Sequence, residues 1–146
     1  MPRQIVTAFS GQQCIPILFL MRHSLELQLK MILALLDELD GVSPKKRGEH
    51  LLSLYWGEVQ RRAARHFRDD ELKKYLSPEF EYITEQLRPL TDIDDRGTTF
   101  RYEDHDQAMP SLDIDVFADS SAEVFQTLDY LVDALGTFCD HKAGRI

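Results

Sequence analysis

Cysteine is scarce in this chain. Cys14 and Cys139 are the only two, they lie far apart, and they form no CxxC pair. That argues against a disulfide scaffold and against a zinc centre, and it fits a reducing, cytoplasmic setting. Long apolar runs are missing too. The longest, Cys14 to Met21, is far short of the roughly 20 residues a membrane-spanning helix needs, so no membrane partner is expected. The N-terminus lacks the basic and then apolar pattern of an export signal. No glycine-rich phosphate loop, no HExxH and no GxSxG occurs, so neither a cofactor nor a catalytic metal is expected. Positive charge is also in short supply. With 17 bases against 25 acids the net charge is −8, a poor balance for non-specific nucleic-acid binding.

What is present is an ordinary globular composition, 43% apolar and 29% charged, over 146 residues. That suits one domain, residues 1–146, with one substantial core. The charge is uneven. Residues 45–68 carry Lys45, Lys46, Arg47, Arg61, Arg62, Arg65 and Arg68 against Glu49 and Glu58, whereas residues 92–115 are mostly acidic. The basic stretch reads either as a solvated helix face or as a binding patch.

Hydrophobic spacing predicts helices over most of the chain. Ile15, Leu18, Leu25, Leu29, Ile32, Leu36 and Leu39 recur in steps of three and four over 14–39, ending near Gly41. "GVSPKKRGEH" reads as a loop. Leu52, Trp56, Val59, Ala63 and Phe67 predict a second helix from about 49 to 67. Ser77-Pro78 reads as an N-cap and first turn, opening a helix to about Leu87 with Leu76, Phe80 and Ile83 on its stripe. Val124, Leu128, Leu131, Leu135 and Phe138 mark a last helix from about 120. Between these, "TTFRY" and "SLDIDVF" partly alternate, which suggests two short strands or an ordered loop. The expected fold is all-α: an up-and-down bundle of four or five helices, with an irregular or β-hairpin-like insert near residues 90–117.

Two acidic stretches of that insert imitate metal sites. Asp92, Asp94, Gly97 and Glu103 fall at calcium-loop positions, but Arg96 stands where an oxygen ligand belongs, and the flank is not helical. Glu103 to Gln107 reads as a solvated acidic turn.

One position breaks the first stripe. Residue 22 should be apolar and is Arg22. Arg22, Glu26 and Lys30 form one i,i+4 column. Arg22 either sits at the stripe's edge and snorkels outward beside Glu26, or points into a seam where its charge serves an anion.

"LFLMRHSLELQLKMIL", then "GEHLLSLYW", then "FRYEDHD" resemble the HEPN superfamily, in particular prokaryotic proteins whose first long helix reads RHxxELxLK. The matching residues are Arg22, His23, Glu26, Leu27, Lys30, His50, Leu51, Leu54, Trp56, Phe100, Arg101 and Tyr102. The resemblance implies a helical bundle that forms a homodimer. It also implies a toxin–antitoxin, phage-defence or RNA-processing setting, with RNA, a nucleotide or a partner protein such as an antitoxin as binding partner. Many members are metal-independent endoribonucleases with an Arg-x(4–6)-His motif, and others are non-catalytic binding or assembly modules. Here the motif departs, because Leu27, Gln28 and Leu29 stand where the histidine should follow Arg22, and the strict match is Arg61 to His66.

A metal-free cleavage site needs a base for the 2′-hydroxyl and a cation for charge developing on the phosphate. On this reading Arg22 is the phosphate stabiliser, His50 the acid/base with His23 as alternate, and Glu26 the orienting carboxylate. Arg61, Arg62, Arg65, His66 and Arg101 would hold RNA, and Phe100 and Tyr102 could stack on a base. Without that chemistry, Arg22–Glu26–Lys30 is an ion-pair column and His50 closes a loop.

Overall fold

The apolar stripe at steps of three and four does fold into a long helix. In the computed structural model, which describes residues 11–94 and 114–145 (side chains 16–88, 90–91 and 119–145), α1 spans Gly11–Asp40. Its inward residues Leu18, Leu25, Leu29, Ile32 and Leu36 are at most 3% exposed. The helix stops at Gly41, whose φ of +67° only glycine adopts without penalty. There the Val42 amide reaches back to the Asp37 carbonyl at 3.0 Å, the Gly41 amide to that of Glu38 at 3.2 Å, and Lys142 Nζ donates to the Leu39 carbonyl at 2.6 Å, so three of the last carbonyls are satisfied.

Helix α2 covers Leu52–Ala63 and buries Leu52, Tyr55, Trp56, Val59 and Ala63. A short helical turn, Asp69–Glu71, passes through a π turn, Leu72–Leu76, into α3, Ser77–Asp94. Helix α4 spans Ile114–Lys142. Among the described residues there is no strand, and the architecture is an all-α bundle of four helices. No described helix is long and apolar enough to cross a membrane.

The path of the chain differs from the up-and-down order expected. Glu26 meets His50 just before α2, and Asp40 meets Arg62 and His66 at its far end. α2 therefore runs parallel to α1. Residues 41–51 make this possible: extended, they can reach roughly 36 Å, whereas returning from Asp40 to Glu26 along α1 needs only about 21 Å. This strap lies along the α1–α2 seam. Helix α4 also runs parallel to α1, with Gln28 on the Phe125 carbonyl, Cys139 against that of Leu35 and Lys142 against that of Leu39. Only α3 runs the other way. Its Tyr82 donates to Glu123 near the start of α4, and Phe80 packs edge-on to Trp56 at 5.4 Å.

Three boundaries move for physical reasons. Ser77 is not an N-cap. It has helical angles (φ −61°, ψ −44°), and its amide already donates to the Leu72 carbonyl across the wide π turn, so it lies inside a helix rather than at its start. Helix α3 continues through Pro89 to Asp94. An interior proline costs about 3 kcal/mol, but Leu90, 1% exposed, extends the Ile83–Leu87 stripe, and burying a leucine returns about 1.5–3 kcal/mol. Helix α4 begins at Ile114, so residues 90–94 and 114–117 of the expected insert are helical, and the strand read over "SLDIDVF" is overturned for 114–117. The rest of the insert, including "TTFRY" and Glu103 to Gln107, lies outside the described residues. Asp92 and Asp94 are in the last turn of α3 rather than in a calcium loop.

Candidate functional site

Arg22 does not snorkel. It is 3% exposed and Glu26 2%, so both charges are inside the seam between α1 and the strap. Burial at that level demands pairing, because an uncompensated ion costs several kcal/mol. Arg22 Nη1 donates to Glu26 Oε2 at 2.7 Å, and Arg22 Nη2 donates to the backbone carbonyl of His50. The other Glu26 oxygen, Oε1, takes Lys30 Nζ at 2.7 Å and His50 Nδ1 at 2.6 Å. Lys30 also lies 5.7 Å from the Tyr55 ring centroid.

Glu26 is therefore the hub of the cluster. Burial pushes its carboxyl up, but the hydrogen bonds from Lys30, Arg22 and His50 outweigh that and hold it at about 2. An ionised carboxylate only accepts, so Nδ1 of His50 carries a proton and donates it; in the neutral ring that tautomer places the lone pair on Nε2. The His50 side chain is 56% exposed, and among the described residues Nε2 has no hydrogen-bond partner.

The backbone at His50 is fixed with equal care. Its φ is +58°, a left-handed conformation uncommon outside glycine, for which asparagine, aspartate and histidine are the most frequent exceptions. The His50 amide donates to Tyr55 Oη at 3.1 Å while Arg22 takes its carbonyl. Strain of this kind persists only where surrounding contacts over-determine it. The result is an imidazole held at one nitrogen by a buried carboxylate, with more than half of its side chain open to solvent. Such a pair can accept a proton at Nε2 and stabilise the resulting imidazolium through Glu26.

A second cluster lies at the other end of the same seam. Asp37, fully buried, accepts from Arg47 at 3.0 and 3.1 Å, from the Lys45 amide at 3.3 Å and from Arg62 at 2.9 Å. Arg62 also contacts Asp40 and Glu58, and His66 Nε2 lies 2.7 Å from Asp40 Oδ1. Burial pushes the Asp37 and Asp40 carboxyls up, but hydrogen bonds from Arg47 and Arg62 to Asp37, and from Arg62 and His66 to Asp40, leave both below the usual range.

The structure thus brings Arg22, Glu26 and His50 together, with Lys30 beside them. His23 is exposed and stacks on Phe19, 6.0 Å between ring centroids. Of the residues expected to hold RNA, Arg62 and His66 are committed to carboxylates. Arg65 is 61% exposed with a weak contact to Asp40 at 3.4 Å, and Arg61 is exposed with no ion-pair partner among the described residues. Arg101 lies outside the described residues. The sequence reading missed Asp37, Asp40, Arg47 and Glu58. The signal was there, since Asp37 lies four residues after buried Leu33 and so shares its face, and an acid on a buried face requires a cation. Among the described residues no group of three or more His, Cys, Asp or Glu could hold a metal ion. No family model matches the chain, and no curated protein or solved structure matches it.

Proposed function

We propose that this chain is a HEPN-like cytoplasmic protein that cleaves RNA without a metal, acting as a homodimer in a toxin–antitoxin, phage-defence or other RNA-directed system. The observation that carries this reading is the Glu26–His50 pair: a buried carboxylate on Nδ1 of an imidazole whose side chain is more than half exposed. In the proposed reaction Nε2 takes the proton of a ribose 2′-hydroxyl. The 2′-oxygen bonds to the adjacent phosphorus, the P–O5′ bond breaks, and the imidazolium returns its proton to the leaving 5′-oxygen. Arg22 is spent on Glu26 and the His50 carbonyl, so it positions the pair. Lys30, 26% exposed, is the cation beside it, and Arg61 and Arg65 offer charge to the RNA backbone.

The test is cleavage of short synthetic RNA in excess EDTA. His50→Asn is the useful variant because asparagine tolerates the left-handed backbone. Loss of a general base is expected to lower the cleavage rate by about 10²–10⁴-fold, with the far-ultraviolet dichroism unchanged. Equal cleavage by both proteins removes His50 from the site. No cleavage by the wild type leaves the second reading, a non-catalytic nucleotide-, RNA- or protein-binding module. The burial of Arg22 favours that second reading, since a clasp of strap to helix needs nothing from Nε2.

The homodimer draws support from the outer face of α1. Leu20, Leu27 and Met31 are 61%, 52% and 55% exposed at steps of seven and four, the spacing of a helix-pairing seam. Leu27→Asp is expected to convert a dimer to a monomer in sedimentation equilibrium. A wild type that sediments as a monomer removes the dimer from the proposal.

A further inference from the structure

An apolar groove of about 910 Å³ lies between the start of α3 and the C-terminal half of α4, at the end where α2 finishes. It shares no residue with the Glu26–His50 cluster. One wall is the π turn and the start of α3, with Tyr75, Leu76, Phe80 and Ile83. The facing wall is the C-terminal half of α4, with Tyr130, Leu131, Ala134 and Phe138, and Phe67 closes the end. Both walls repeat every three or four residues, as a helix face does when another helix lies against it. Lining residues run from Gln126 to Phe138 on α4, roughly 18 Å of helix at 1.5 Å per residue, or just over three turns. Tyr75 and Tyr130 are 61% and 64% exposed at its mouth, and no described residue covers them.

The charged residues that line the groove have one sign. Glu71, Glu79 and Asp133 line the groove, and no lysine or arginine does. Arg68 neutralises Glu71 at 2.8 Å, and Lys74, which does not line the groove, lies 5.2 Å from the Tyr75 ring centroid. Glu79 and Asp133 are exposed, stand on opposite walls, and have no ion-pair partner among the described residues. An apolar floor about three helical turns long, with an unpaired carboxylate on each side, matches a helix with one apolar stripe flanked by cations. We propose that this groove receives a basic amphipathic helix of a partner protein.

The test uses three labelled synthetic peptides of about 14 residues, roughly 21 Å as helices. One carries a leucine stripe flanked by lysines, one the same stripe flanked by glutamates, and one the lysine composition scrambled to destroy the stripe. Fluorescence anisotropy against the full chain is expected to show the striped lysine peptide binding at least about tenfold more tightly than either control. Glu79→Lys with Asp133→Lys is expected to invert the preference between lysine and glutamate peptides. Tyr130→Ala is expected to weaken binding about tenfold. All three positions are exposed, so the variants fold. Equal binding of the three peptides, no binding of any, or binding untouched by these substitutions overturns the proposal. So does self-association that Tyr130→Ala abolishes while no peptide binds, an outcome that gives the groove to a second copy of this chain.

Discussion

Asp37→Ala is expected to lower the unfolding free energy by about 3 kcal/mol, at the lower end of the range for breaking a buried ion pair. Asp37 is fully buried and takes two hydrogen bonds from Arg47, one from the Lys45 amide and an ion pair from Arg62. Its removal takes an anion from two guanidiniums whose side chains are each 8% exposed. The loss stays near the lower end because Arg62 keeps Asp40 and Glu58, and Arg47 keeps Glu58 at 3.6 Å. The substitution also has a local signature. The strap carries Lys46 and Arg47 outside any helix, held to α1 at this point by Asp37. Trypsin should cut there in the variant under conditions that leave the wild type whole. Urea unfolding measures the first effect and limited proteolysis the second. A loss under about 1 kcal/mol with an unchanged digestion pattern would show that the strap is held elsewhere.

The helices were legible in the sequence because their spacing is regular and their buried residues are leucine-rich. Leu18, Leu25, Leu29, Ile32 and Leu36 on α1, and Leu128, Leu131 and Leu135 on α4, are core residues at the spacing read. The helix ends were less legible, because local punctuation competes with burial. Pro89 reads as a stop, yet Leu90 makes the next turn worth forming. "LDIDV" alternates like a strand, although Ile114, Phe117, Ser121 and Val124 keep a helical step. The direction of α2 was not legible at all. A loop of this length permits either a turn or a return along the bundle, and the choice is made by Asp37 holding Arg47 and Glu26 holding His50. Those are contacts between residues 10 and 24 apart, which periodicity within one helix does not encode. The candidate site was half legible. Arg22 announced itself as a charge in a leucine stripe. His50 gained meaning only once the strap placed its Nδ1 on Glu26, and the basic run at 45–68 concealed that Arg47 and Arg62 serve buried acids.

Glu26→Gln should lose stability in a pH-dependent way that separates charge from shape. Glutamine nearly preserves the volume, and its amide oxygen can still accept from His50, but the negative charge opposing Arg22 and Lys30 is gone. The wild-type carboxyl sits at about 2 rather than the ordinary 4.5. A group with a depressed folded-state pKa contributes stability that is fully present above pH 4.5 and is lost as the pH falls through about 2. That difference corresponds to stabilisation on the order of 3 kcal/mol at neutral pH. Wild type and Glu26→Gln should therefore differ by about that amount at pH 7 and converge toward pH 2 in urea unfolding. Asp37 and Asp40, which are depressed in the same direction, contribute equally to both proteins and cancel in the difference. A gap that stays constant with pH would mean that Glu26 acts through packing rather than charge. Adding Arg22→Met removes one of the cations that faced the lost charge, so the double variant should recover part of the loss, and the cycle reports the coupling of the pair. The same protein then weighs the two functional readings. Glu26→Gln spares Nε2 but removes the charge that stabilises a protonated His50. A clasp loses only stability, whereas a proton-transfer pair also loses rate at temperatures where the variant remains folded.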